Sequence, residues 1–399
     1  MRILTSGESH GPQLTAIVDG LPSGLAVSAD AINAQLARRQ QGYGRGRRQA
    51  IESDRVEIVS GVRFGRTLPG PITLVVRNKD YDNWRTKMSV APVDEPTAAI
   101  VCPRPGHADF AGALKHELED IRDVLERSSA RSTAILVAVG AVCRELVGAI
   151  GGRIYSQVCA IGDVTARTAA ADQIEGLAEA VEASPVRCAD SAAAGMMIAA
   201  IDEAASRGDT LGGVVEVVAI GCPPGLGSHT HWDRRLEGRL AAALMSIQAV
   251  KGVEVGAGFA GCSLPGSEVH DELLYDPDLG YHRARNSAGG IEGGMTNGEP
   301  IVVRCAMKPL PTLKNRLRSV DMTTREAVQA HFERSDVCAV PAAAVIAEAM
   351  VAIVLAEAAL ERFGGDSMAA FQRNFASAKE ALASRGYTGV RWSIPSRRT

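Results

Sequence analysis

Glu126-Arg127-Ser128-Ser129-Ala130-Arg131-Ser132-Thr133 runs straight into the apolar stretch 134–148. Hydroxyl residues ahead of an apolar run predict a helix start, with Ser132 or Thr133 as the cap. Backbone N–H groups at such a start, flanked by two arginines, also make an anion site, and the two roles are compatible. A shorter form of the stretch, Glu333-Arg334-Ser335, precedes a second Ala/Val-rich helix at 340–363. Chance alone can produce a three-residue echo. The sharper reading is an internal two-fold repeat.

Working outward, residues 2–4 and 14–18 read as strands, the second ending at the turn dipeptide Asp19-Gly20. Residues 28–39 read as a helix capped by Ser28, with Ile32, Leu36 and Ala37 at helical spacing. Strands are predicted at 56–62, 72–76, 213–220 and 302–307, and helices at 110–127 and 233–251. The end of the chain, from Ser396, is expected to fray. No linker of low complexity divides the chain, so composition marks no domain boundary.

The composition excludes several classes. Of 399 residues, 46% are apolar, which is too many for a disordered chain. The 41 glycines show no collagen period. A net charge of −3 argues against a protein whose whole surface grips nucleic acid. With aromatics at only 4%, the core must rely on Ala, Val, Ile and Leu. The eight cysteines include no CxxC pair, so neither a zinc site nor a redox pair is expected, and they read as reduced, mostly buried residues. The N-terminal apolar run is too short for a signal peptide. The most apolar stretch, 339–360, is interrupted by Glu348 and Glu357 and reads as a buried helix rather than a membrane span. A cytoplasmic protein that does not engage membranes is expected.

Five constellations can carry chemistry. Gly7-Glu8-Ser9-His10-Gly11 places a titratable His between glycines. It matches Gly-x-Ser-x-Gly, but a β-prone run follows where a nucleophile elbow needs a helix, so Ser9 is not read as a nucleophile. Residues 38–48 carry five arginines on a Gly frame, suited to clamping phosphate or carboxylate, to a plain solvated loop, or to RNA. Arg104-Pro105-Gly106-His107-Ala108-Asp109 sets a turn His between an arginine and an acid. The helix start at 126–133 is the fourth. The Gly-rich loop 289–298 lacks phosphate-loop or dinucleotide spacing, and it leads to Lys308 and on to Arg334-Ser335-Asp336. Two His, many arginines and Gly-rich loops suit an anionic, phosphorylated ligand handled by acid–base chemistry.

Gly-Glu-Ser-His-Gly at 7–11, Arg-Arg-Gln-Gln-Gly-Tyr-Gly-Arg-Gly at 38–46, Arg-Pro-Gly-His-Ala-Asp at 104–109, Glu-Arg-Ser-Ser-Ala-Arg at 126–131, Gly-Gly-Met-Thr-Asn-Gly at 293–298 and Arg-Ser-Asp at 334–336 resemble the chorismate synthase family, in family order. The resemblance implies an α+β fold, a β-α-β sandwich with an internal pseudo-two-fold repeat in one large domain. It puts the catalytic domain at 1–365, with a C-terminal helix and flexible tail at 366–399. It implies a lyase that turns 5-enolpyruvylshikimate 3-phosphate into chorismate by 1,4-anti elimination, the last step of the shikimate pathway. Reduced FMN is required without net redox change, NADPH is a possible reductant, and the assembly is a homotetramer. By the same resemblance His10 serves the phosphate, His107 the reduced flavin near N1 and Asp336 the flavin N5. Arg39, Arg45, Arg104 and Arg131 would neutralise the substrate. The flavin would contact Arg127, Ser128, Ser129, Gln248, Ala249, Gly293, Lys308, Pro309, Leu310, Pro311, Thr312 and Arg334. Pro311 stands where many members have Ser, so position 311 offers no side-chain hydroxyl. Two other readings are a flavin reductase using NAD(P)H, with Arg39 and Arg45 on a nucleotide phosphate, and an RNA-binding module built on 38–48.

Overall fold

In the computed structural model, residues 1–46, 53–94, 97–333 and 335–387 are described. The first half runs β1 (Arg2–Ser6), β2 (Gln13–Asp19), α1 (Ala29–Gln40), β3 (Val56–Ser60), β4 (Ile72–Arg77). Two short helices follow, α2 (Asp109–His116) and α3 (Arg122–Ser128), and then the long α4 (Thr133–Gly148). The second half runs β5 (Arg153–Ile161), α5 (Ser191–Ser206), β6 (Gly213–Ile220), α6 (Leu236–Met245), β7 (Val250–Val255), β8 (Ile301–Met307), α7 (Val340–Phe363) and α8 (Met368–Ala383).

The first sheet has the order β1-β2-β4-β3, and the second β5-β6-β8-β7 with the short strand Val164–Thr165 beyond β5. All these pairings are antiparallel. The order is the same in each half. A helix, α1 or α6, connects the second and third strands, and a long helix, α4 or α7, follows the fourth. The expected internal two-fold repeat is thus a repeated β-β-α-β-β-α order of elements. Helices α1, α4, α6 and α7 form a layer between the sheets, giving a β-α-β sandwich of α+β class.

Alternation explains the layers. Leu14, Ala16 and Val18 of β2 and Ile72, Leu74 and Val76 of β4 are buried toward the helices. In the second sheet Val215, Val217 and Ala219 join the same core. Helix α7 is long and apolar enough to span a membrane, yet 89% of that window is buried inside the protein. It is covered on all sides, as a helix apolar all round must be. One ionic cluster interrupts this core. Glu348 of α7 is 1% exposed and accepts from Arg38 of α1 (2.7 and 2.9 Å), Arg144 of α4 (2.7 Å) and Ser156 of β5 (2.5 Å).

Three sequence expectations need correction. The helix expected at 110–127 breaks at Glu117, whose φ of 56° is left-handed, and restarts as α3. The helix expected at 233–251 covers only Leu236–Met245. Ala249 turns at φ 67°, and the alternating residues from Val250 become strand β7. Ser132 does not cap α4. A 3-10 turn at Ala130–Ser132 leads into α4, and Ser129 caps that turn by accepting from the Arg131 N–H. Strands β5 and β7 and helix α5 were not foreseen. The frayed end expected from Ser396 lies outside the described residues.

Candidate functional site

A cavity of about 1040 Å³ opens at one end of the helix layer. Its wall includes Ser128, Ser129 and Thr133 at the start of α4, and Ala339 and Ala342 at the start of α7. The two halves of the repeat thus aim the positive ends of their longest helices at one space. The glycine loop after α1 supplies Gly44, Arg45 and Gly46.

His10 is 6% exposed and sits on the loop between β1 and β2. Glu126 of α3 holds it twice. One carboxylate oxygen accepts from the His10 backbone N–H at 2.8 Å, and both lie within 2.9–3.1 Å of Nδ1. Trp84 stacks on the ring at a centroid distance of 3.8 Å. Arg122 donates to Glu126 at 3.0 Å and also pairs with Glu333 at 3.3 Å. This clamp fixes the plane and the tautomer of His10. At Glu333, burial pulls the carboxyl upward, but the His331 hydrogen bond and the charges of Arg122, His10 and Arg104 outweigh it, leaving a value of about 2.

His107 is held in the same way. Its Nδ1 lies 2.5 Å from Asp109, which is fully buried at the start of α2. Arg104 donates to Asp109 through Nε and Nη2, at 2.8 and 3.0 Å, and through Nη1 to Thr312 at 3.0 Å. Burial pulls the Asp109 carboxyl upward, but hydrogen bonds from His107 and Arg104 more than offset it and hold it well below the usual carboxylate range.

The predicted substrate arginines all reach the cavity wall, and each meets an acid there. Arg131 donates to Asp54 at 2.6 and 2.8 Å, and Arg39 approaches the same carboxylate at 3.5 Å. Arg45 pairs with Asp336 at 2.9 Å, and Asp336 also accepts from the Gly46 N–H at 2.7 Å. The Arg45 Nε is buried without a hydrogen-bond acceptor among the described residues.

Of the predicted flavin contacts, Ser128, Ser129, Gln248, Ala249, Lys308, Leu310, Pro311 and Thr312 line the cavity. Pro309 is in the same segment but not in the wall. Arg127 is exposed and reaches away, donating to the Thr5 and Gly7 carbonyls at 2.9 and 3.2 Å. Gly293 sits in the turn between Ile291–Glu292 and Met295–Thr296, outside the wall. Arg334 lies outside the described residues, as do Arg47 and Arg48 of the basic loop. The sequence reading assigned no role to Glu126, Asp54 or Trp84. Glu126 opens the motif at 126–131, so its position is visible in the sequence. Asp54 and Trp84 carry no local signal, because only the tertiary fold brings them to Arg131 and His10.

Paired histidines held by buried acids, ion-paired arginines and two converging helix starts define a β-α-β sandwich enzyme for a small polyanion. The chorismate synthase family model matches residues 1–360. A chorismate synthase of Pelobacter propionicus is 57% identical over 383 residues, covering 94% of this chain and 97% of the relative. One from Symbiobacterium thermophilum is 54% identical over 391 residues, covering 96% of this chain and 100% of the relative. A crystal structure of chorismate synthase superposes with a TM-score of 0.79 at 42% identity, covering 96% of this chain and 98% of the other. The chain belongs to the chorismate synthase family, whose members are lyases.

Proposed function

We propose that this cavity converts 5-enolpyruvylshikimate 3-phosphate into chorismate by 1,4-anti elimination of phosphate, with reduced FMN bound beside the substrate. The observation that carries the reading is one cavity holding His10–Glu126, His107–Asp109 and Arg45–Asp336 between the starts of α4 and α7. A single small-molecule ligand usually fills roughly 300–1,000 Å³, so about 1040 Å³ suits two ligands of moderate size. The wall suits a flavin. Met307, Leu310 and Ile346 offer apolar surface, Gln248 and the serines offer polar contacts, and the Arg45 Nε awaits an acceptor.

His107, Ser128, Ser129, Gln248, Lys308 and Thr312 would hold the flavin, with Ala249, Leu310 and Pro311 against it. When bound, reduced FMN would lend electron density to the ring as the C–O bond to phosphate breaks and take it back with the departing ring hydrogen, so that there is no net redox change. His10, held at Nδ1 by Glu126, gives a proton to the departing phosphate. Arg39 and Arg131 keep their positive ends at the wall while Asp54 holds them in place, so the substrate's charge meets donors that are already oriented. Arg104, tied to Asp109 and Thr312, extends that wall. Asp336, which lines the cavity and is held by Arg45, would exchange a proton with the flavin.

NADPH as the reductant, a homotetrameric assembly and a cytoplasmic location belong to the same reading. The test is anaerobic turnover with substrate and chemically reduced FMN, with and without NADPH, followed by chorismate absorbance. Product with reduced FMN alone is expected. No product under any of these conditions overturns the reading.

A further inference from the structure

Strand β4 buries every second residue, Ile72, Leu74 and Val76, and Asn78 is the next in that alternation. It is 5% exposed. A buried amide needs partners for its oxygen and for both of its hydrogens. Here every one is used. The Oδ1 accepts from the Arg131 Nε at 2.9 Å. The Nδ2 donates to the Gly11 carbonyl at 2.6 Å and to the Glu8 carbonyl at 3.2 Å. The Arg131 Nε can only donate and the carbonyls can only accept, so the amide has a single orientation. Glu8 and Gly11 flank Ser9-His10, and the Asn78 backbone N–H reaches the Pro12 carbonyl at 3.1 Å. One side chain thus ties both sides of the His10 loop to Arg131. His10 and Arg131 line the cavity, whereas Asn78 stands behind them, outside the wall.

The same segment holds the His10 ring. A 3-10 turn at Lys79–Asn83 follows Asn78 directly and ends at Trp84. The Tyr81 N–H reaches the Asn78 carbonyl at 3.2 Å, and the Trp84 N–H reaches the Tyr81 carbonyl at 2.8 Å. The Trp84 Nε1 donates to Asp80 at 3.1 Å. This turn sets the indole against His10 with the two planes 28° apart. Arg122, which holds Glu126, lies 5.0 Å from the centre of the same indole. The ring is gripped at Nδ1 by Glu126 and on its face by Trp84, and its loop hangs from Asn78.

We propose that the segment from Asn78 to Trp84 is a positioning element for the elimination: Asn78 fixes the distance between the proton donor His10 and the substrate arginine Arg131, and Trp84 fixes the plane of the His10 ring. The proposal rests on the roles given to His10 and Arg131 above. Neither Asn78 nor Trp84 has to touch the substrate. The leaving phosphate must meet its proton donor while the substrate's charge stays on its arginine, and an error of about 1 Å in such a spacing costs about 10²-fold in rate.

The test is anaerobic steady-state kinetics with substrate and chemically reduced FMN. Asn78→Asp keeps the shape and an acceptor for Arg131, but it sets an oxygen against the Glu8 and Gly11 carbonyls and displaces the His10 loop. It should lower kcat by about 10²-fold with KM close to wild type. Asn78→Ala releases Arg131 as well, and should also raise KM by roughly tenfold. Trp84→Ala, at a partly exposed position, should lower kcat by roughly tenfold, and Trp84→Phe should restore most of it. In a His10→Ala background the kcat losses of Asn78→Asp and Trp84→Ala should vanish, because both act through that ring. A loss of folded enzyme would carry over in full. The proposal is overturned if these two variants turn over as fast as wild type, or if their losses multiply with that of His10→Ala. If Asn78→Asp does not fold, Trp84→Ala and its double variant decide by the same criterion. Equal KM values for Asn78→Ala and Asn78→Asp overturn the link to Arg131. Wild type that forms no chorismate removes the reading of the site itself, and the proposal with it.

Discussion

His10 shows how much chemistry depends on a partner far away in sequence. Glu126 holds its ring and its backbone across 116 positions. His10→Ala should lower turnover by roughly 10²–10⁴-fold, the usual range for a general acid–base group. Steady-state kinetics on a variant with native circular dichroism checks this, and full activity would remove His10 from the mechanism. Glu126→Gln keeps the shape but changes what Nδ1 meets. It should cut kcat by roughly 10²-fold or more with little change in KM, as happens when an orienting carboxylate is lost. A kcat equal to wild type would reduce Glu126 to a structural contact. The histidines and arginines were legible because their motifs are local. Asp54 and Trp84 were not, because a lone acid in a loop and a lone Trp look like ordinary surface residues until the chain is folded.

At the scale of elements, the strongest signals were the helices with sustained apolar pattern. The sequence reading matched α7 at 340–363, and it placed α1 and α4 to within a residue at each end. It failed where a turn was encoded by one residue's backbone. Glu117 and Ala249 adopt left-handed φ without being glycine, so nothing in their side chains announces a break. The close contact of α4 with α7 was equally silent. Gly140 faces Ala349, and a Cβ at position 140 would come within 2.4 Å of the Ala349 Cβ and 2.6 Å of its Cα. Gly140→Ala removes no helical propensity, yet it must push the helices apart. It should destabilise the fold by about 1–3 kcal/mol, the usual cost of overpacking. Denaturant unfolding reads this directly, and a more stable variant would show that the helices separate freely.

For the whole molecule, the Glu348 cluster ties the two halves together. Burial alone would raise the Glu348 carboxyl, but the charges of Arg38 and Arg144 and their neighbours bring it down to about 2, against an ordinary 4.5. Glu182, half-buried and paired with Arg187 and Arg38, also lies at about 2. A carboxyl depressed in the folded state binds fewer protons than in the unfolded state. Its stabilisation is therefore complete above pH 4.5 and is lost as pH falls from 4.5 toward 2. Acid unfolding should steepen in that window. Glu348→Gln should cost about 3–5 kcal/mol at neutral pH, because Arg38, Arg144 and Arg187 lose a buried counter-charge. It should also flatten the acid dependence between pH 4.5 and 2. An unchanged acid profile would show that the cluster contributes nothing to linkage.

The sequence by itself determined which segments are apolar, where the two core helices begin, and which residue types carry positive charge and acid–base chemistry. These properties are set by local pattern and capping. Only the tertiary structure decided that the arginines at 39, 45, 104 and 131 arrive with carboxylates already bound. It also decided that the bulge residue Lys251 lines the cavity with no acidic partner among the described residues. The physical reason is that charge pairing and strand register depend on distances between segments far apart in the chain. Such distances exist only once both sheets have closed on the helix layer.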